Sequence, residues 1–241
     1  MISLLDIGNT RTKYCKVDSS NTRSSVQFLT NNNLTKHFLN NKLCGSTKVI
    51  LASVADEQLT EVVRSWCLKN NSDFHRVLSE ENKNGVTSAY EDPSKLGVDR
   101  WLALVGAVKL FPNKNVLIID SGTATTVDYI SSEGKHVGGW ILAGLNTLIS
   151  SVLSETAKVK ANKSEIPSLG FGINTSENVN NAAWAATIGT IHLAISELNR
   201  LEHVIDEVII TGGNALSIST LLTHQHKVID DLVFAGLQAY I

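Results

Sequence analysis

The chain has 241 residues, of which 43% are hydrophobic and 18% charged, with a formal charge of −2. That composition describes a soluble globular protein with length for one large or two modest cores, and it argues against disorder. The near-neutral balance and the lack of any Lys/Arg cluster exclude a nucleic-acid or other polyanion binder and favour small-molecule chemistry.

The first six apolar-rich positions, 2–7, predict a buried strand that turns at Gly8-Asn9 into a second strand over 12–17. Residues 18–46, rich in Ser, Thr and Asn, predict only an irregular strand near 25–29 and a short helix near 34–40. A strand over 48–54, a helix over 57–69 with Leu59, Val62, Val63 and Trp66 on one face, and a strand over 74–77 follow in α/β rhythm. Residues 94–111 predict a helix and 115–120 a strand. The theme then repeats, with a hairpin partner over 125–130, a strand over 135–142, loops over 155–180, an Ala-rich helix over 181–198, a strand over 204–211 and a closing helix over 231–239. No Pro/Ser/Gly linker separates the halves. The boundary is placed near Lys114, giving residues 1–114 and 115–241 as two similar α/β domains with a cleft between them.

No apolar stretch approaches the length of a membrane span, and residues 1–5 are too short and lack the basic flank of a signal peptide. Cys15, Cys44 and Cys67 are odd in number, widely spaced and outside any Cys-x-x-Cys pattern, which predicts reduced thiols in a cytoplasmic protein.

The run LLDIGNT at 4–10 has a near copy, LIIDSGT, at 117–123. A strand that ends in Asp and enters a Gly turn does two things. The carboxylate can hold a hydrated metal ion, and glycine lets backbone N–H groups approach a phosphate without interference from a Cβ. Thr10 and Thr123 add hydroxyl donors. Either turn alone reads equally as an ordinary hairpin, but the duplication points to two turns gripping one nucleotide phosphate tail with Mg²⁺ at the carboxylates. A third element, ITGGNA at 210–215, brings paired glycines to a helix N-terminus suited to the adenosine or α-phosphate.

The order of these three turns resembles the acetate and sugar kinase, Hsp70 and actin superfamily. Within it, Asp6-Ile7-Gly8-Asn9-Thr10-Arg11-Thr12-Lys13, Tyr90, Gly97-Val98-Asp99-Arg100-Trp101, Asp120-Ser121-Gly122-Thr123-Ala124-Thr125-Thr126 and Gly138-Gly139-Trp140-Ile141 resemble, in order and over nearly the whole chain, the motif series of type III pantothenate kinase. One departure is Ala143 before Gly144-Leu145, where the family commonly has Pro. The resemblance implies an α/β fold of two ribonuclease H-like domains around a nucleotide cleft, the actin-like ATPase fold. It also implies ATP-dependent phosphorylation of pantothenate to 4′-phosphopantothenate, the entry to coenzyme A, by a homodimer.

Site roles follow from the same resemblance. Asp6 through Lys13, with Thr123, would contact ATP, Asp6 holding Mg²⁺ through water and Asp120 a monovalent cation, K⁺ or NH₄⁺, with a share in the Mg²⁺ site left open. Asp99 would be the base that orients the acceptor hydroxyl and takes its proton late; read from the residues alone, it could equally cap the helix that follows. Tyr90, Gly97, Val98, Asp99, Arg100 and Thr175 would contact pantothenate, the surface alternative for Arg100 being a salt bridge. His224 and His226, lacking companion ligands, read as a solvated loop rather than a metal site. Two other functions remain open on the sequence: a Bvg accessory factor-like transcriptional regulator sharing the fold, and a kinase of the superfamily with another small acceptor.

Overall fold

The computed structural model describes residues 1–156, 159–162, 164 and 166–241. They fall into two compact units, Met1–Pro112 with Asp231–Ile241, and Asn113–Asp230. The break lies beside the boundary read from the sequence. The closing segment, which chain order placed with the second half, packs with the first unit instead, because its helix lies against the helix that carries Asp99.

In the first unit, strands β1 (Ile2–Ile7), β2 (Arg11–Val17), β3 (Gln27–Thr30), β4 (Lys48–Ser53) and β5 (Asp73–Arg76) form one sheet in the order β3-β2-β1-β4-β5. β1, β2 and β3 run antiparallel in sequence, and β1, β4 and β5 are parallel. Central β1 and β4 are covered on both faces and therefore read as nearly continuous apolar runs. One face packs Leu5, Ile7, Tyr14, Val49 and Leu51 against helices α1 (Lys36–Lys42) and α2 (Glu57–Lys69). Asp56 starts α2 by accepting the Gln58 N–H at 2.9 Å. A two-strand ribbon, β6 (Asn82–Lys83) with β7 (Val86–Thr87), precedes α3 (Val98–Leu110).

The second unit repeats the plan. Strands β8 (Val116–Ser121), β9 (Ala124–Ile130), β10 (His136–Ala143), β11 (Glu207–Thr211) and β12 (Lys227–Val228) form a sheet in the order β10-β9-β8-β11-β12. Its first three strands are antiparallel, and β8, β11 and β12 are parallel. Leu117, Ile119, Val127, Tyr129, Val208 and Ile210 pack on α4 (Leu145–Glu155), α5 (Thr175–Arg200) and α6 (Ala215–Leu221). The sequence expectation of loops over 155–180 is overtaken at its end by α5, whose N-terminus is closed by a reciprocal Asn174–Glu177 cap. Asn174 accepts the Glu177 N–H at 3.0 Å and donates to Glu177 Oε1 at 2.7 Å. Within that expectation, positions 157, 158, 163 and 165 lie outside the described residues. No helix among the described residues is long and apolar enough to cross a membrane.

Helix α7 (Leu232–Leu237) joins the first unit through a backbone-close crossing with α3. A Cβ on Gly106 of α3 would overlap the Leu232 carbonyl oxygen, and one on Gly236 of α7 would overlap the Leu102 carbonyl oxygen. Each helix thus offers a glycine where the other presents backbone, and neither contact has a flexible side chain to yield. Gly106→Ala and Gly236→Ala should each destabilise the protein by about 1–3 kcal/mol, the usual cost of overpacking. Urea unfolding of both variants checks this, and an unchanged midpoint would contradict so close a crossing.

Candidate active site

Asp6 and Asp120 occupy the same place in the two sheets, each one residue before the end of the central strand that enters a hairpin turn. Lys13 is the cross-strand partner of Asp6, so the two side chains share a sheet face. Asp120 is registered between Thr126 on β9 and Thr211 on β11.

The first turn is bonded almost wholly through its carbonyls. Gly8 N–H donates to Arg11 O at 3.0 Å. Asn31, just past β3, donates its side-chain amide to Gly8 O at 2.8 Å and Asn9 O at 3.1 Å, and its backbone N–H to Thr10 O at 3.3 Å. Asn9, Thr10 and Arg11 are exposed, whereas Thr12 is fully buried and donates its hydroxyl to Asn31 Oδ1 at 2.8 Å. Arg11 also stacks on exposed Phe28, its guanidinium carbon 5.2 Å from the ring centre.

The second turn uses different atoms to the same effect. Gly122 N–H donates to Ala124 O at 2.8 Å, Gly144 N–H to Thr123 O at 3.2 Å and Asn214 N–H to Ser121 O at 3.0 Å. Thr123 is exposed, and Thr125 is buried with its hydroxyl 2.9 Å from that of Ser121. Two glycines fit where nothing larger does. A Cβ on Gly144 would overlap the Thr123 carbonyl oxygen. Gly212, at φ +91°, adopts a conformation that side-chain-bearing residues rarely take, and its Cβ would overlap Asp120 Oδ1. Ala143, where a proline is common in the resembled family, is the last paired residue of β10, opposite Ala124.

Around the start of α3 the structure brings Tyr90, Gly97, Val98, Asp99 and Arg100 together. Gly97 is the N-cap and offers no side-chain bond to the helix; Asp99 supplies one instead, its Oδ1 accepting the Arg100 N–H at 2.8 Å. A Cβ on Gly97 would lie 2.6 Å from that Oδ1, so the glycine makes the space in which the carboxylate sits. Arg100 does not lie on the surface: it is buried at 5% exposure, donates to the Tyr90 hydroxyl at 2.7 Å and lies over the Tyr90 ring. Gly97 and Val98 also line a recess of about 320 Å³ shared with Ser53, Arg76, Ser79 and Lys95.

Thr175 is the first residue of α5, exposed, and belongs to the second unit. His224 and His226 both turn inward to their own segment: each Nδ1 donates to a neighbouring carbonyl oxygen, and His226 Nε2 lies 2.8 Å from Ser219 Oγ. Among the described residues no group of three or more His, Cys, Asp or Glu is placed to hold a metal ion. Burial pushes the Cys15 thiol up to about 12 and Cys67 to about 11, which removes both as nucleophiles at neutral pH. Asn31 escaped the sequence reading altogether, since one Asn among Asn31-Asn32-Asn33 carries no local signal.

A family model described as type III pantothenate kinase matches residues 2–197. A type III pantothenate kinase from Colwellia psychrerythraea (strain 34H) is 44% identical to the chain over 250 residues, covering 100% of both. Among solved structures, a protein from Sinorhizobium meliloti named as a 2-dehydro-3-deoxygalactonokinase aligns with a TM-score of 0.60 at 12% identity, over 99% of this chain and 95% of its own. One from Campylobacter jejuni named as a Baf family transcriptional activator aligns with a TM-score of 0.60 at 20% identity, over 98% and 95%. At those identities the two structures speak to the fold alone, which is the α/β actin-like ATPase and sugar kinase fold that the motif order implied.

The Tyr90–Arg100 contact has a measurable consequence for stability. Tyr90→Phe deletes the acceptor for a buried guanidinium N–H while keeping the ring, and should lower the unfolding free energy by about 1–3 kcal/mol. Chemical denaturation of the variant gives the value; no change would mean that the bond adds nothing in the folded state.

Proposed function

We propose how individual side chains serve the reaction, from the premise that the chain belongs to the type III pantothenate kinase family and is an ATP-dependent pantothenate kinase acting at the first step of coenzyme A biosynthesis. The observation that carries the assignment is the first turn of α3, where Gly97, Asp99, Arg100 and, through a hydrogen bond, Tyr90 are gathered. Asp99 is the base. Its Oδ1 is held by the Arg100 N–H, which leaves Oδ2 for the acceptor hydroxyl. A carboxylate is far less basic than an alkoxide, so it orients the alcohol oxygen and takes the proton only as the bond to phosphorus forms. Arg100 and Tyr90, already bonded to each other, contact the acceptor with Gly97 and Val98, and Thr175 adds a hydroxyl from the N-terminus of α5.

On the nucleotide side, the turn within residues 6–13 and Thr123 meet the ATP phosphates, with exposed Asn9, Thr10, Arg11 and Thr123 as the direct donors and buried Thr12 acting from behind them. Asp6 binds Mg²⁺ through water and Asp120 a monovalent cation. The donor chemistry fits both. Mg²⁺ bound with substrate phosphates uses one or two carboxylates and retains waters, so no protein cage of three or more ligands is required. Bound there, the ions neutralise charge on the phosphoryl oxygens. Asp120 Oδ1 and the Ser121 carbonyl oxygen both border the space that a Cβ on Gly212 would fill, and both are hard oxygen donors of the kind K⁺ takes.

The protein acts in the cytoplasm as a homodimer. Support for the location is chemical: three free cysteines among the described residues, two of them buried. Support for the dimer is the second unit's exposed Ile141 on β10, Leu193 on α5, and Phe171 and Ile173 just before α5. A regulator sharing only the fold would not need Asp6, Asp99 and Asp120 together.

Asp99→Asn should retain ATP binding and lower kcat by about 10²-fold or more, the scale of a positioned general base. Calorimetry with ATP and single-turnover phosphoryl transfer, run side by side, measure the two effects; near-normal turnover would return Asp99 to a helix-end role. The cation assignment predicts low activity in Na⁺-only buffer with saturating Mg²⁺ and recovery in K⁺ or NH₄⁺ at equal ionic strength. Asp120→Asn should blunt that recovery, and equal rates in matched Na⁺ and K⁺ buffers would remove the monovalent site.

A further inference from the structure

We propose that Asn31 is a positioning residue for Mg·ATP, holding the first turn so that three successive backbone amides face the phosphates. This rests on the reading that the first turn binds phosphate. A trans peptide is planar and carries its C=O and N–H on opposite sides, so fixing one fixes the direction of the other. Asn31 takes up the carbonyl oxygens of Gly8 and Asn9 through its side chain and of Thr10 through its backbone N–H. The N–H groups in those same three peptides belong to Asn9, Thr10 and Arg11. They are thereby turned away from Asn31, and the residues that bear them are exposed. Successive N–H groups on one side of a turn form an anion-binding concavity, whereas carbonyls left to swing into it would repel phosphate.

The orientation of Asn31 is itself fixed. Its Oδ1 accepts the Thr12 hydroxyl, which leaves its NH₂ for the two carbonyls and settles which way the amide is turned. Thr12 is fully buried on β2, so its hydroxyl acts on the nucleotide through Asn31 and does not touch it. Asn31 does not stand in the cradle: its bonds to the carbonyls of residues 8–10 all reach the turn from behind. It is therefore a determinant of how well the cradle is formed and not a ligand.

The test is steady-state kinetics on the full-length protein with Mg·ATP and pantothenate varied separately. Asn31→Ala should raise KM for Mg·ATP about tenfold while leaving the pantothenate KM and kcat at saturating ATP within about twofold, since binding that is equal in ground and transition states moves KM alone. A merely structural role would instead lower the active fraction, and kcat would fall with KM unchanged. Thr12→Val, which keeps shape and β-branching, should raise the same KM more weakly, and the double variant should be no worse than Asn31→Ala alone, because both act through one set of bonds. Thr12→Val also answers the question if Asn31→Ala does not fold. Asp6→Asn is measured alongside. Impaired Mg·ATP use in Asp6→Asn with unaltered KM in the Asn31 and Thr12 variants overturns the positioning role and leaves the turn in place. Unaltered values in all three variants overturn the phosphate reading of the turn itself.

Discussion

The site depends on one constraint of the peptide group: a turn can show its amides to an anion only if its carbonyl oxygens are bonded elsewhere. Both Asp-x-Gly turns have carbonyls braced in this way, and with the same strand order. In the first unit the segment that follows β3 delivers Asn31 to the carbonyls of residues 8–10. In the second, the segment that follows β10 delivers Gly144 to Thr123 O, while the end of β11 delivers Asn214 to Ser121 O. The third strand of each antiparallel trio thus ends where it can brace the hairpin between the first two. A sheet of this topology is a means of supplying such braces from distant sequence.

The two braces differ in what they demand of the chain. A side-chain amide reaches over a gap, and Asn31 needs only to be near. A backbone brace must come into contact, and the second turn accordingly admits only glycine at Gly144 and Gly212. The first turn, one residue longer between its glycine and the carbonyl that Gly8 bonds, leaves the room that Asn31 fills. Close backbone approach recurs in the first unit where α3 and α7 cross, and it is why the last eleven residues pack with the first unit.

Strongly patterned elements were legible in the sequence. The apolar runs of β1, β4, β8 and β11, the amphipathic face of α2 and the repeated Asp-x-Gly each carry their own signal. Helix ends were not. α5 begins at Thr175 because Asn174 and Glu177 cap it, a four-residue pattern that is easily lost in a polar stretch, and α4 follows Gly144 with no side-chain cap at all. Short edge strands such as β6, β7 and β12 are defined by pairing with distant residues rather than by composition. Of the candidate site, the motif residues stood out as motifs, but the burial of Arg100 against Tyr90 is a tertiary fact. The sequence alone is equally consistent with a surface arginine on the first turn of α3.

The threonines of the repeated motif show most clearly why a sequence match stops short of a mechanism. Each turn carries a pair two residues apart, Thr10 with Thr12 and Thr123 with Thr125, and the pattern treats the members of a pair alike. The structure separates them: Thr10 and Thr123 stand exposed at the tips, while Thr12 and Thr125, two positions later on the returning strand, are buried with hydroxyls 2.8 Å from Asn31 Oδ1 and 2.9 Å from Ser121 Oγ. Alternation along a strand does not produce this division, since residues two apart on a regular strand share a face. It arises because the chain is still turning at the first threonine of each pair and has joined the sheet by the second. The outer hydroxyl is therefore available to a ligand, and the inner one bonds to a side chain within its own unit. The Asp-x-Gly-Thr repeat accordingly combines groups that can meet phosphate with groups that keep the turn in shape, and a substitution in one set should not be read as a substitution in the other.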